Sequence, residues 1–389
     1  MRLFTLQVFS QTATEQRLRL LDDQGKLFGE RSLPQADIER FVTEVEKDYR
    51  ASKLDLSALG RRLYEWLDGP TERWLAGLRA QHSNLALHVD VENRLRHLPW
   101  ELLYSGGHLC GHAHQRFTPV RRVNGRCAAD QPQPANRPLR VLFMAASPED
   151  VLPVLDFEAE EARILEATRH RPLELAVEES GSLEGLREQV TAVEAGYFDV
   201  FHLTGHADIR AGKPVFILED PLGFKREADA GELAAAFDHH WPRLLFLSGC
   251  RTGQSLEQGE LPSLCEALVE AGAPAVLGWA LPVGDWDASQ AAAYLYQQLA
   301  GGDRLDAAVA HARQQLLARD DSRYWHLLRL YANATPLLGL VTTLKTKGRA
   351  PCCSAKPAPS FWMPPVRWKF VPETASWGGD ARCNAVCGC

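Results

Sequence analysis

The chain has 389 residues, of which 45% are hydrophobic and 24% are charged, and its formal net charge is −7. This length exceeds the size at which one hydrophobic core usually stops growing, and the composition is that of an ordinary globular protein. The negative net charge excludes the basic surface expected of a nucleic-acid-binding protein or of a protein held on an anionic membrane, so we expect partners that are proteins or peptides.

The N-terminal segment and the cysteines predict a cytoplasmic protein. The first residues alternate apolar and polar side chains, without the continuous apolar segment of a signal peptide, and no apolar run is long enough to cross a bilayer. The cysteine count is nine, an odd number, and four cysteines are spread through the chain without the spacing of a disulfide framework: Cys110, Cys127, Cys250 and Cys265. We therefore expect a reducing compartment, in which a thiol stays reactive.

Residues 1–123 predict a small α+β domain. Apolar residues alternate on both sides of a turn-forming segment at 22–25, which predicts a hairpin formed by residues 2–9 and 16–28. Apolar residues at three- and four-residue spacing then predict two or three amphipathic helices, and a strand follows at 85–91. The polar, Pro-rich segment 124–138 predicts a linker, and we place the domain boundary there.

Residues 139–344 predict an α/β domain with a mostly parallel sheet. Short apolar runs alternate with helical segments through this region, as in DVFHLTGHA and RLLFLSGC. Continuous apolar strands separated by helices are typical of a parallel sheet that is covered on both faces. Residues 345–389 are irregular and rich in Pro, Trp and Cys, and we expect no packed core there.

Two of the predicted strands end in reactive side chains. One ends in Gly205 and His206, and the other ends in Gly249 and Cys250. The two ends could lie side by side, since ligands of open α/β sheets bind beyond the carboxyl ends of the strands. Cys250 is then a candidate nucleophile and His206 its acid–base partner in acyl transfer. We expect the oxyanion hole and the contacts with substrate backbone at Cys250, Gly249 and the His206 loop, including Gly205 and Ala207.

In these segments the chain resembles the CHAT-domain peptidases, which are relatives of caspases, separases and gingipains. The resemblance covers about residues 85–340 and rests on the joint order of LRHLPWELLY, TPVRRV, FHLTGHAD, FLSGCRTG, AGAPAVLGWALPVGDWDA and DAAVAHARQQL. It implies a caspase-like three-layer α/β/α sandwich and a dyad at His206 and Cys250, each ending a strand. The family usually has glycine after the histidine, where this chain has Ala207. A positive φ at that position would alter the oxyanion hole.

Asp285 and Asp287 follow the strand after the candidate nucleophile, in the segment VGDWDA. Separase-like relatives carry carboxylates in a similar segment and cleave after arginine, so the resemblance implies an acidic wall for a basic P1 side chain. Aspartates are also common at helix N-termini, where they cap the helix and interact with its dipole. The residues alone fit both interpretations.

The predicted function is that of a cysteine endopeptidase that needs no cofactor. By resemblance it would cleave a protein or peptide substrate in a regulated bacterial signalling or defence pathway, under an upstream activating sensor protein. The first rival is an inactive caspase-like scaffold for protein interaction. The second rival is a metal-dependent hydrolase, although alternate residues of one strand rarely converge on one ion. Its candidate ligands are four alternating residues: His108, Cys110, His112 and His114.

Overall fold

The computed structural model describes the chain in eight ranges: 1–50, 55–91, 93–112, 114–123, 133–210, 212–249, 263–319 and 323–344. Residues 1–350 belong to one compact unit, and the second unit, residues 351–389, lies wholly outside the described ranges. The candidate nucleophile Cys250 and the predicted irregular tail also lie outside the described residues.

The N-terminal part begins with a three-stranded antiparallel meander. Its elements are β1 (Arg2–Ser10), β2 (Glu15–Asp22), β3 (Leu27–Pro34), α1 (Gln35–Tyr49), α2 (Leu56–Asp68), α3 (Trp74–Gln81), β4 (Asn84–Asp90), α4 (Asn93–Arg96) and β5 (Arg116–Arg122). The antiparallel pairing of β1 with β2 confirms the predicted hairpin. However, the turn at 22–25, with Gly25 at φ 75°, joins β2 to β3, a strand that the sequence analysis missed.

From residue 139 onward strands and helices mostly alternate, as predicted, although β9 and β10 follow β8 without a helix between them. The elements are β6 (Leu139–Ala145), α5 (Phe157–Ala167), β7 (Leu173–Glu178), α6 (Leu183–Thr191), β8 (Val200–Arg210), β9 (Lys213–Glu219), β10 (Lys225–Ala228), α7 (Ala230–Phe237), β11 (Leu244–Gly249), α8 (Leu264–Ala271), β12 (Ala275–Trp279), α9 (Asp285–Leu299), α10 (Leu305–Leu317) and β13 (Leu328–Ala332).

The strands of the described residues form one sheet. Its order is β10-β9-β8-β11-β12-β13-β5-β4-β1-β2-β3, and β6 pairs with both β8 and β7. In the centre of this sheet five strands run parallel to one another: β7, β6, β8, β11 and β12. β13 continues the sheet to β5, so the N-terminal strands belong to the same sheet. The division into domains at 1–123 and 139–344 with a linker at 124–138 stays a prediction.

Helices cover both faces of the central sheet. Successive side chains of a strand point to opposite faces, and on β11 Leu244 and Phe246 join one hydrophobic cluster while Leu245 and Leu247 join the other. The cluster that contains Leu244 and Phe246 is covered by helices α5, α9 and α10. The cluster that contains Leu245 and Leu247 is covered by helices α6, α7 and α8. This arrangement confirms the predicted three-layer α/β/α fold. Within the described ranges, no helix combines the length and the hydropathy needed to span a membrane.

Candidate functional site

The two strands that lead to the candidate dyad lie side by side. β8 and β11 are parallel, and Gly205 is the Cα partner of Gly249 in the last pair of their register. In the sequence these glycines directly precede His206 and Cys250, and Cys250 itself lies outside the described residues. The carboxyl end of β11 and the middle of β8 therefore meet at one place in the sheet.

His206 does not end its strand, in contrast to what the resemblance implied. β8 continues to Arg210. Its parallel partners stop earlier, since β6 pairs with β8 only to Thr204 and β11 only to Gly205. From His206 onward β8 pairs antiparallel with β9 instead, so this part of the strand forms a hairpin that extends past the parallel sheet.

The two neighbours of His206 place different demands on the backbone. A Cβ on Gly205 would lie 3.0 Å from Cε1 of the buried Phe216 ring, so glycine lets β8 and β9 approach without crowding this ring. Ala207 lies within β8 opposite Phe216 and does not have a positive φ. Alanine therefore fits here without backbone strain. The roles of Gly205, Ala207 and Gly249 around an oxyanion stay predictions.

A backbone carbonyl orients the imidazole of His206. Nε2 lies 2.9 Å from the carbonyl oxygen of Pro153. Because a carbonyl only accepts hydrogen bonds, Nε2 carries the proton in this contact. In the neutral ring Nδ1 then keeps its lone pair and can accept a proton from a thiol. Sequence reasoning missed Pro153, since every residue carries a carbonyl and no side-chain pattern marks this one.

A cavity of about 110 Å³ opens beside His206, between α5, α9 and the strands β8 and β11. Glu160, Thr204, His206, Ser248 and Asp285 are among the residues that line it. No Lys or Arg is present in the lining formed by the described residues. We call this space the acidic cavity. A larger groove of about 980 Å³ lies between β1 and α1, but its lining in the described chain contains neither histidine nor cysteine.

The two candidate aspartates differ in their positions. Both lie in the first turn of α9, where a negative charge interacts favourably with the helix dipole. Asp285 also lines the acidic cavity, whereas Asp287 is buried and is not part of the lining. The structure thus brings Asp285 together with His206 and does not bring Asp287 there.

Glu160 is a buried carboxyl group at the acidic cavity. Its side chain lies on α5, the residue is 5% exposed, and Ser248 Oγ lies 3.4 Å from its Oε1. Burial raises the pKa of Glu160 to about 7, and the charge of Asp285 adds to this effect. Hydrogen bonds from Thr204 and Ser248 and the more distant charge of Arg163 act in the opposite direction and do not cancel it.

Two buried residues next to Glu160, His202 and Tyr296, carry no positive charge. His202 is fully buried, its Nε2 lies 3.5 Å from Glu160 Oε1, and burial lowers the pKa of His202 to about 3. The imidazole is therefore neutral at physiological pH. Burial and then the nearby Glu160 raise the pKa of Tyr296 well above its usual range, so this phenol is neutral as well.

Sequence reasoning missed Glu160, although helix periodicity carries a signal for it. In α5, Glu160 follows Phe157 by three residues and precedes the buried Ile164 by four. These positions share one face of a helix, and the neighbouring Phe157 and Ile164 both pack in the core. An acidic residue on the apolar face of an amphipathic helix is the feature that could have identified this position.

The histidine-rich segment of the metal-dependent rival is not an extended strand. Leu109–Gly111 form a 3₁₀ turn, which breaks the strict alternation on which the prediction depended. Cys110 is buried, and burial raises its thiol pKa to about 12. Across the described ranges, no group of three or more His, Cys, Asp or Glu side chains has an arrangement that could hold a metal ion.

Glu160 should make the stability of the protein pH-dependent. Its pKa in the fold is about 7, above the ordinary value of 4.5, so its stabilising effect is complete below pH 4.5 and is lost as the pH rises to 7. Glu160→Gln keeps a neutral hydrogen-bonding group. We therefore expect urea unfolding to show this variant gaining about 3 kcal/mol relative to wild type between pH 4.5 and pH 8.

Glu158→Gln is the matched control for this prediction, because Glu158 lies on the same helix and is exposed. We expect its unfolding free energy to follow that of the wild type at each pH. A gain that is independent of pH in Glu160→Gln, or an equal gain in both variants, would contradict the assignment of a buried, protonated Glu160.

Comparison with known proteins adds a family match. The model of the CHAT domain matches residues 57–367. No curated protein matches the chain. Among solved structures, the Saccharomyces cerevisiae separase–securin complex matches at 12% identity and a TM-score of 0.49, over 85% of this chain and 30% of that chain. This chain thus spans 30% of the separase-complex chain that it matches.

Two further solved structures are similar over different lengths. The complex of the pro- and mature domains of Porphyromonas gingivalis RgpB matches at 8% identity and a TM-score of 0.42, over 78% of this chain and 77% of that chain. Caspase-1 from Spodoptera frugiperda matches at 11% identity and a TM-score of 0.36, over 56% of this chain and 99% of that chain.

Proposed function

The chain belongs to the CHAT-domain family, and on this premise we propose that it is a cysteine endopeptidase with Cys250 as nucleophile and His206 as acid–base catalyst. The observation that carries the proposal is the pairing of Gly205 with Gly249 in adjacent parallel strands. Adjacent strands lie about 4.8 Å apart, and consecutive Cα atoms lie about 3.8 Å apart. This spacing is the support for our proposal that the side chains of His206 and Cys250, which follow the two glycines in sequence, act together.

The orientation of His206 fits the proposed role. The Pro153 carbonyl accepts a hydrogen bond from Nε2, and this leaves Nδ1 of the neutral ring as the proton acceptor. In the proposed reaction Nδ1 takes the proton of the Cys250 thiol, and the thiolate attacks the scissile carbonyl carbon. Backbone N–H groups at Cys250 and in the His206 segment would stabilise the oxyanion that forms.

The second half of the proposed reaction returns the enzyme to its starting state. The tetrahedral intermediate collapses, the C–N bond breaks, and the leaving amine takes the proton from His206. Water then attacks the acyl-enzyme while His206 accepts one of its protons. The thioester bond breaks, the carboxylic acid product leaves, and the proton on His206 restores the thiol.

The proposal extends to the environment and the partners of the enzyme. Cys110 and Cys265 are buried and are not in disulfide bonds, which suits a reducing compartment such as the cytoplasm. We propose a protein substrate and an upstream protein that activates the peptidase. The peptidase would be inactive until then, because a permanently active one would damage the cell. Asp285, which lines the acidic cavity beside His206, is the proposed wall for a basic P1 side chain.

Cleavage of a mixed peptide library tests this function. We expect the reduced protein to cut peptides, iodoacetamide treatment to abolish the cutting, and EDTA to leave it unchanged. Peptide mapping should show that loss of cutting follows the labelling of Cys250, whereas Cys110 and Cys265, which are buried, should stay unlabelled. Cutting that survives iodoacetamide and is lost with EDTA would contradict the proposal. No cutting by the protein, even in lysate of its own host, would favour the interaction scaffold.

A further inference from the structure

Four large apolar side chains are exposed on two loops beside the candidate site. One loop joins β6 to α5, and the other joins β9 to β10. Leu152, Leu222 and Val154 are the most exposed large hydrophobic residues of the described chain, at 81%, 77% and 69%, and Phe224 is 46% exposed. We call these four residues the apolar rim. Single apolar residues are common on surfaces, whereas a group of them on neighbouring loops is typical of a binding surface.

Hydrogen bonds join the two loops that carry the apolar rim. The backbone N–H of Glu149 donates to the carbonyl oxygen of Gly223 at 3.0 Å, and the backbone N–H of Lys225 donates to Asp150 Oδ1 at 2.8 Å. Within the second loop, Asp220 Oδ1 accepts hydrogen bonds from two backbone N–H groups at 2.8 and 2.9 Å. The backbone that carries the rim is therefore held in place, and its two halves lie side by side.

The first of these loops also borders the candidate catalytic histidine. The carbonyl oxygen of Pro153 accepts a hydrogen bond from His206 Nε2, and Pro153 and Leu155 line the cavity that His206 lines. Leu152 and Val154 alternate with these two residues along the chain and are exposed instead. Because consecutive Cα atoms lie about 3.8 Å apart, the rim begins one residue away from the contact with His206.

We propose that the apolar rim docks the substrate protein through aliphatic or aromatic side chains that lie within about four residues of the scissile bond, since extended backbone advances about 3.3 Å per residue. The inference rests on the proposed peptidase function, because that function places the scissile bond at His206. It goes beyond that function by adding a requirement for apolar substrate residues, which the dyad itself does not impose.

The position of the apolar rim favours a substrate over other occupants. A second copy of the chain, or an activating protein that stayed bound there, would cover the loop that contains Pro153 and obstruct access to His206. A substrate contacts both places at once and leaves after the reaction. Four side chains also offer less area than the about 800 Å² that each partner buries in a stable interface, which suits a transient contact.

Cleavage of matched peptides tests the docking. We expect the best peptides of the library to carry apolar residues near the scissile bond, and replacement of these residues by serine to lower kcat/KM about tenfold, mainly by raising KM. Leu222→Ser and Leu152→Ser should each reduce this preference. Leu222 is the sharper test, because it is distant in sequence from Pro153. The matched control Leu27→Ser, at a half-exposed leucine of β3, should keep the wild-type preference.

Binding to an inactive protein separates the docking from the peptidase function. Cys250→Ala protein is applied to an array of short random peptides, and we expect the bound peptides to be enriched in aliphatic and aromatic residues. Adding Leu222→Ser should remove the enrichment, whereas adding Leu27→Ser should preserve it. This result without any cleavage by wild type would support the apolar rim and contradict the peptidase. Cleavage by wild type without an apolar preference would support the peptidase and overturn the docking.

Two further outcomes overturn the inference. One is that Leu222→Ser, folded as judged by circular dichroism, leaves both the cleavage preference and the array binding unchanged. The other is that sedimentation shows a wild-type dimer which Leu222→Ser dissociates, since the apolar rim would then be an interface between two copies. Substitution of an exposed side chain rarely impairs folding. If Leu222→Ser nevertheless did not fold, Leu152→Ser would decide by the same measurements.

Discussion

Cys250→Ala should reduce peptide cleavage to background, and His206→Ala should lower kcat/KM by about 10²–10⁴. The first variant removes the only atom that can form the proposed acyl-enzyme, and the second removes the group that takes the thiol proton. Because the two side chains act as a unit, the double variant should be about as inactive as Cys250→Ala alone. Initial rates on the best peptide of the library measure all three.

Two matched variants control for loss of folding. Cys110→Ala removes a thiol whose pKa burial raises to about 12, so it is not a nucleophile at neutral pH. His170→Ala removes an exposed histidine that follows α5. We expect both to retain wild-type rates. Persistent cleavage by Cys250→Ala, or losses in the control variants as large as in the dyad variants, would show that the proposed nucleophile is wrong.

The central sheet was predictable because its strands and helices carry strong local patterns. LLFLSG follows Arg243 as a largely apolar run and forms β11, with every residue of the strand buried. The helix predicted from Leu305 to Ala318 was found as α10 (Leu305–Leu317). Since the carboxyl ends of parallel neighbours meet at one edge, the closeness of His206 to the segment before Cys250 followed from the same patterns.

Other strands carried no comparable local signal. β13 is five residues long, and its place between β12 and β5 is set by partners that are distant in sequence. β9 and β10 extend the sheet beyond His206 and made β8 longer than its parallel partners require. Pairing of this kind depends on tertiary contacts, which a single sequence does not display.

The candidate site shows the same division between local and tertiary information. Histidine, cysteine and glycine at strand ends are visible as residue types, and so they were proposed from the sequence. The Pro153 carbonyl and the buried Glu160 are marked by where they lie in the fold and not by residue type. One is a backbone group, and the other is one of several glutamates on α5. Only the packing of α5 against β8 and β11 distinguishes Glu160 from its exposed neighbour Glu158.

Glu101→Gln should destabilise the fold more than any other conservative substitution of a described charged residue, by about 3–5 kcal/mol. Glu101, in the motif LRHLPWELLY, is fully buried and accepts hydrogen bonds from two guanidinium groups that are also fully buried. Arg121 of β5 contacts it at 2.6 and 2.9 Å, and Arg313 of α10 contacts it at 3.3 Å. The variant would leave two buried positive charges without their carboxylate.

The pH dependence of this loss has a definite sign. Burial alone would raise the pKa of Glu101, but the charges of Arg121 and then Arg313 outweigh burial and lower the pKa to about 2. Since this value is below the ordinary 4.5, the stabilising effect is complete above pH 4.5 and is lost as the pH falls towards 2. Urea unfolding should therefore show a constant gap between wild type and Glu101→Gln above pH 5, and a shrinking gap below it.

Glu174→Gln is the matched control, because it breaks a charge pair at the surface. Glu174 contacts Arg140 at 2.9 Å, but its side chain is half exposed, and such pairs contribute at most about 1 kcal/mol. We expect this variant to unfold close to wild type at every pH. If Glu101→Gln lost no more stability than Glu174→Gln does, the buried charges would have relaxed to solvent. The packing of β5 and α10 around Glu101 would then not depend on its carboxylate.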